Sequence, residues 1–358
     1  MSTSVLITGG AGFIGCALAR RLDNAGYEVV VMDVLHPQVH HDLGRPADLP
    51  ASIPLLTGDV THAPDCEAVL RLVRPEQVIH LAAETGTGQS LSEATRHGSV
   101  NVVGTTQLLD ALTRAEWVPQ QLVLASSRAV YGEGAWLSGQ HVFYPRPRTH
   151  AQLVAGRWDP QGPDGGAAVP LPSSSERTEA RPTNIYAATK LAQEHMLLAW
   201  TAARGCALSV LRLQNVYGPG QSLTNPYTGI VSLFARLARA RRTLEVYEDG
   251  RIVRDFVFIE DVVEALAVAV ETPASQTRFL DIGSGVATTI HGLARQLATL
   301  CDAPEPTVVG RFRDGDVRAA SCDIEPGAVE LSWRPAWPLN RGLAALLEWI
   351  DSRPEAAL

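Results

Sequence analysis

Short apolar runs alternate with amphipathic stretches through the first 215 residues. Residues 4–7, 28–32, 53–57, 77–83, 121–125 and 207–213 are rich in Val, Leu and Ile and read as buried strands. Residues 16–22, 66–74, 90–114 and 185–203 carry apolar positions at helical spacing. Strands alternating with helices predict an α/β fold, a doubly wound parallel sheet whose ligands lie beyond the strand C-termini. Between 133 and 181 the alternation fails. That stretch is rich in Pro, Gly and Ser but holds Trp136, Phe143, Tyr144 and Trp158. A structureless loop of this length is unusual in a compact domain, so it reads as an inserted subdomain or a substrate lid. Beyond 216 come strands at 252–258 and 278–282 and helices at 230–242, 261–270, 289–300 and 341–350. The expected division is a first domain over 1–215 that carries the insertion and a smaller α/β domain over 216–358. A segment near 251–275 is expected to return to the first domain.

The turn between the first strand and the first helix is Thr8-Gly9-Gly10-Ala11-Gly12-Phe13-Ile14-Gly15. Gly9, Gly12 and Gly15 fit the tight turn, the close approach of backbone to a diphosphate and the helix–strand contact of a dinucleotide site. Phe13 and Ile14 open the helix whose N-terminus faces the anion. The second strand ends on Asp33, 18 residues after Gly15. An acid there suits a ribose hydroxyl pair and repels a 2′-phosphate, which favours NAD over NADP. Asp59, followed by Val60, ends the third strand and either bonds the adenine amino group or caps the next helix. Leu81, Ala82 and Ala83 close the fourth strand, and the small pair lets a cofactor pass the backbone. Asn101, inside the 90–114 helix, is a further cofactor candidate.

Three more residues carry chemistry. Ser127 ends the fifth strand; Tyr186 and Lys190 stand four apart on one face of the 185–203 helix. A phenol with a pKa of ~10 is a weak base. A lysine ammonium ~4 Å away, at an effective dielectric of ~20, favours the phenolate by ~4 kcal/mol. That is ~3 pKa units, which predicts a Tyr186 near neutrality, able to take an alcohol proton while Ser127 holds the same oxygen.

Composition narrows the class. The 358 residues are 46% hydrophobic and 19% charged, with a net charge of -8, which argues against disorder and against nucleic acid as a partner. No apolar run approaches the ~18 residues of a membrane span. Five cysteines without C-x-x-C spacing, and no leader ahead of the first strand, point to free thiols in a reducing cytoplasm. No histidine spacing suggests a metal site.

These motifs resemble those of the extended short-chain dehydrogenase/reductases of the nucleotide-sugar epimerase and dehydratase class. The matching pieces are 8–15, Asp33, His80 to Ala83, Ser126-Ser127 with Val130-Tyr131-Gly132, Tyr186 to Lys190, Asn215 to Gly218, Arg254-Asp255-Phe256 and Arg313-Asp314-Gly315-Asp316. The resemblance implies the Rossmann-type fold, NAD, a nucleoside diphosphate sugar as substrate and a homodimer paired through the helices near 90–114 and 185–203. It places Asn215, Arg254 and Arg313 on the diphosphate, an anion that guanidinium groups suit. Relatives that eliminate water carry an Asp-Glu pair after the strand-five hydroxyl residue; here Arg128 and Ala129 stand there. The implied reaction is therefore epimerisation at C4 through a transient ketone. A ketoreductase that releases its product, or a cofactor-sensing regulator, would use the same fold.

Residues 84–90, 127–135 and 215–229 are also similar to the dTDP-L-rhamnose 4-epimerase group, which implies that Thr85, Ser127, Arg128 and Tyr227 face the substrate. Some members of that group have cysteine pairs in the insertion that suit a metal. The comparable positions here are Ser138, Gly162 and Gly165, so no metal is expected.

Overall fold

The computed structural model describes residues 3–40, 44–223 and 229–353. Its centre is a sheet of β1 (Ser4–Thr8), β2 (Glu28–Asp33), β3 (Leu55–Thr57), β4 (Gln77–His80), β5 (Gln121–Ser127), β6 (Ala207–Leu213) and β7 (Arg278–Ile282). The order is β7-β6-β5-β4-β1-β2-β3 and each adjacent pair is parallel. This is the doubly wound sheet expected from the alternating pattern. The strand order reverses between β1 and β4, where the crevice of such a sheet opens. Helices α1 (Phe13–Asn24), α2 (Ala63–Val73), α3 (Gly104–Arg114), α4 (Ile185–Arg204) and α5 (Ile259–Glu271) flank the sheet. Val5, Ile7, Leu18 and Leu22 on one face and Leu6, Val78, Leu108 and Leu112 on the other form the two halves of the core.

Elements of the second half of the chain pack on those of the first. Helix α5 packs on α1, where Arg21 pairs with Glu264 at 2.8 Å and with Glu271 at 3.1 Å, and β7 pairs with β6. The strands Asn215–Tyr217, Val253–Phe258 and Ala287–Thr289 form a small sheet beside the C-terminal edge of the main one.

The segment 90–114 is largely helical, as expected, though not one regular helix: Thr87–Ser92 and Ala94–His97 precede a π-helical stretch, Gly98–Val103, which runs into α3. The side chain of Asn101 is engaged outside the helix, and Gly104 lies against Val60, whose Cγ2 would be 2.7 Å from an added Cβ. The fourth strand ends at His80 rather than Ala83. The 230–242 helix stops at Arg239, because Arg241 takes a left-handed φ of 50°.

The insertion is folded. Trp136–Ser138 pairs with both His141–Phe143 and Val169–Pro170, and Trp136 and Leu153 are buried. Its two ends meet. Gly132, at φ +60°, lies so close to Arg181 that an added Cβ would sit 2.1 Å from the Arg181 carbonyl oxygen. Ser138 donates to the Ala167 carbonyl at 3.0 Å, and a Cβ on Gly162 would be 2.2 Å from the Ser138 Oγ.

His80 sits at the end of β4, buried, with Nδ1 2.7 Å from the Thr8 hydroxyl and Nε2 2.9 Å from that of Thr105. Burial, and then the nearby Lys190, push its pKa down to about 3. The unfolded chain keeps a histidine near ~6.5. Between these values the unfolded state binds a proton that the native state refuses, so stability rises with pH there and is lost as pH falls towards 3. The expected result is a urea-unfolding free energy whose pH slope across this window exceeds that of His80→Asn by about one proton. Equal slopes would remove His80 from the account.

Candidate active site

The Gly-rich turn fits a dinucleotide. Gly9 has a φ of +69°, and a Cβ there would lie 2.6 Å from the Ala82 nitrogen, so the ends of β1 and β4 touch through it. A Cβ on Gly15 would lie 2.5 Å from the Gly10 Cα, which lets α1 start hard against the turn. Gly12 occupies the N-cap of α1 and supplies no side-chain acceptor, and the first turn holds no acid. The N–H groups of Phe13, Ile14 and Gly15 are thus available to a diphosphate. Asp33 accepts from the Ala11 N–H at 3.0 Å and the Leu35 N–H at 2.9 Å, one on each oxygen, and keeps acceptor capacity for ribose hydroxyls.

Two cofactor candidates have other duties. Asn101 is fully buried; its Nδ2 donates to the Glu84 carbonyl at 3.0 Å and the Thr189 hydroxyl at 2.9 Å, and its Oδ1 accepts the Glu84 N–H at 2.7 Å. It ties the loop after β4 to α4. Asp59 is not the cap of α2, a place held by His62; its Oδ1 accepts from the Thr61 N–H and hydroxyl, both at 2.8 Å, in the turn before that helix. Val60 is buried beside it, and Leu81, Ala82 and Ala83 line the loop after β4, half-buried.

Ser127 and Tyr186 face each other across the crevice. Ser127 caps the turn Arg128–Tyr131, its Oγ accepting the Ala129 N–H at 3.2 Å, and its hydroxyl lies within reach of the Tyr186 phenol. Asn184 caps α4 by accepting the Ala187 N–H at 2.9 Å, which fixes the first turn on which Tyr186 stands. The predicted tuning of the phenol by Lys190 needs correction. Burial raises the Tyr186 pKa, and what opposes it is the Ser127 hydrogen bond and the Arg128 charge. Lys190 is 3% exposed and donates to Gln193 Oε1 at 2.6 Å. Burial pushes its ammonium down to about 7, with Glu194 acting in the opposite sense. The cation nearest in effect to the phenol is Arg128, which follows Ser127 in sequence.

Arg128 faces a second guanidinium. Burial, then the like charge of Arg254, push its pKa down to about 10, while Asp316 and Tyr186 act the other way. Arg254 is buried and donates to Asp316 Oδ1 at 2.6 Å and the Val253 carbonyl at 2.7 Å, leaving part of its five-donor fork unengaged. Two desolvated cations held together form a cleft that an anion would relieve. The Oδ1 of Asn215, two residues beyond the end of β6, is buried without a partner. Arg313 is exposed, its guanidinium 5.4 Å from the Tyr247 ring centre, and Thr85 is exposed in the loop after β4. Tyr227 lies outside the described residues. Among the described residues no group of three or more His, Cys, Asp or Glu side chains could hold a metal, and no helix is long and apolar enough to cross a membrane.

Sequence reasoning missed the supports. Glu194 receives Arg212 through two bonds, at 3.0 and 2.6 Å, and the Ser126 hydroxyl, all buried behind Ser127 and Lys190. An arginine inside the apolar run 207–213 was the signal, since a buried charge requires a partner.

Residues 5–151 and 159–283 match the family described as "NAD dependent epimerase/dehydratase family". The chain is 52% identical over 347 residues to a dTDP-L-rhamnose 4-epimerase of Burkholderia thailandensis, covering 97% of this chain and 94% of that one. It is 29% identical to a UDP-glucose 4-epimerase of Mycolicibacterium smegmatis over 98% of this chain and 99% of the other. Among solved structures it resembles the UDP-glucose 4-epimerase of Thermus thermophilus in complex with NAD, with a TM-score of 0.78 and 26% identity over 97% and 98% of the two chains.

Proposed function

The chain belongs to the NAD-dependent epimerase/dehydratase family, and from that premise we propose that it inverts C4 of a nucleoside diphosphate sugar, a dTDP-6-deoxy hexose of the rhamnose type. NAD is the cofactor. When bound, it supplies the hydride acceptor and donor and the positive charge of its nicotinamide ring. Tyr186 takes the proton of the sugar's 4-hydroxyl and Ser127 holds the same oxygen. The ketone turns in the cleft, and Tyr186 returns the proton to the oxygen of the inverted centre. Arg128, Arg254, Arg313 and Asn215 hold the diphosphate and the sugar.

The observation that carries this reading is the turn after β5. It presents Arg128 and a buried Ala129, so no carboxylate stands directly after Ser127 to remove a proton from C5. Elimination of water therefore has no acid–base pair there, and oxidation at one carbon remains. The 52% identity to a dTDP-L-rhamnose 4-epimerase supports the sugar class. Incubation of the NAD-loaded protein with dTDP-L-rhamnose, followed by proton NMR at H4, is expected to give the C4 epimer with no added NADH. Formation of the 4-ketone with one NADH released per sugar, and no C4 epimer, would identify a dehydrogenase or ketoreductase instead.

The chain is further read as a cytoplasmic homodimer. Its five cysteines are free and buried, which fits a reducing compartment. Leu91 and Val103 stand exposed on the 87–103 helical stretch, where a second copy would cover them.

A further inference from the structure

The insertion places one arginine in the middle of a buried ionic network. Arg148 has a side chain only 4% exposed. Its Nη1 lies 2.8 Å from Glu248 Oε1 and donates to Glu248 Oε2 at 2.9 Å and to the Trp158 carbonyl at 3.3 Å. Its Nη2 donates to the main-chain carbonyl of Asp316 at 2.8 Å, and its Nε lies 3.5 Å from Glu133. The carboxylate of that same Asp316 receives Arg254. Glu248 takes a left-handed φ of +53°, and its carboxylate is held by Arg148 and by Arg318, which donates to Oε2 at 3.0 Å. Glu248 follows Tyr247, the ring beneath Arg313.

The insertion also grips the residues on both sides of Arg313. His150 and Trp158 pack on Phe312 with ring centres 5.4 and 6.2 Å away, and His150 Nδ1 lies 3.0 Å from the Asp314 carboxylate. A lid that opened in each turnover would have to strip the buried Arg148 from three acceptors, one of them the buried Glu248 carboxylate. We propose that the insertion is a fixed brace for the diphosphate-binding loop, with Arg148 as the positioning residue that holds Asp316, and through it Arg254, while His150 and Trp158 hold Arg313 in place. The brace sets affinity for the nucleoside diphosphate half of the substrate and leaves the hydride chemistry untouched.

This rests on the nucleotide-sugar reading above, and the experiment separates the two. dTDP is titrated into the NAD-loaded protein, and turnover of dTDP-L-rhamnose is measured, for wild type, Arg148→Met, Arg148→Lys and the double variant His150→Ala/Trp158→Ala. The double variant removes the grip on Phe312 without leaving a buried acid unpaired. The expected result is a rise of roughly tenfold in KM and in the dTDP dissociation constant for Arg148→Met, a smaller rise for the double variant, and kcat within about twofold in both. Arg148→Lys recovers part of the loss, since an ammonium meets Glu248 but does not span the three acceptors. Unchanged dTDP affinity in the folded double variant and in Arg148→Lys, or a fall in kcat at constant KM, overturns the brace while the substrate reading stands. A wild-type protein that binds no dTDP overturns both.

Discussion

Tyr186→Phe is expected to lower kcat by about 10²- to 10⁴-fold, the usual contribution of a positioned general acid–base group. NAD content and nucleotide-sugar affinity are expected to stay near wild type. The substitution deletes one oxygen from a half-buried ring whose packing against His97, at 6.4 Å between ring centres, is unchanged in shape. The loss should therefore fall on kcat rather than KM, the signature of an interaction made in the transition state. The chain alone does not make Tyr186 a strong base. Burial raises its pKa, and Ser127 and Arg128 oppose that only in part. The fixed positive charge at Arg128 should matter accordingly, because it favours the phenolate without needing to titrate near neutrality. A Tyr186→Phe protein that epimerises at the wild-type rate would remove this residue as the base.

The second large effect concerns stability. Glu194→Ala is expected to cost about 3–5 kcal/mol, the usual result of stranding one member of a buried ion pair. Glu194 is 2% exposed and accepts two bonds from Arg212, itself 6% exposed and stacked 4.9 Å from the Tyr131 ring centre. Without the carboxylate, Arg212 keeps its charge and loses its partner, and the Ser126 hydroxyl loses its acceptor. Lys190 also loses the one neighbour that favours its charged form, so its pKa should fall below about 7. Adding Arg212→Leu is expected to restore part of the lost stability, because it removes the stranded charge. Denaturant titration of the two single variants and the double variant checks this. A loss under about 1 kcal/mol for Glu194→Ala would mean that the pair is far better hydrated than its burial implies.

The fold was legible because its strands are short, apolar and separated by helical spacing. Those signals depend only on local sequence, and β1, β2, β5, β6 and β7 follow them closely. The Gly-rich turn was legible for the same reason, since glycine at 9 and 15 reports a backbone contact that no other residue permits. What stayed hidden depends on where long side chains end. Spacing puts Tyr186 and Lys190 on one helical face, but it does not say that the ammonium turns to Gln193 one turn further along. Asn101 stands inside a helix in the sequence, yet its amide bonds Glu84 and Thr189, from two other elements. Arg148 belongs to a Pro-rich stretch with no periodicity, and its partners Glu248 and Asp316 lie 100 and 168 residues away. Pattern reading has no access to contacts of that range.

The meeting of Gly132 with Arg181 has an evolutionary corollary. A segment that leaves and re-enters the scaffold at one point can lengthen, shorten or be exchanged without altering the spacing between Ser127 and Tyr186. Its contacts run to the loop of Arg313 and Asp316 and also, through Ser175, to Phe279 and Asp281 of β7. On the brace proposed above, editing this cassette retunes nucleotide affinity while Ser127 and Tyr186 keep their places.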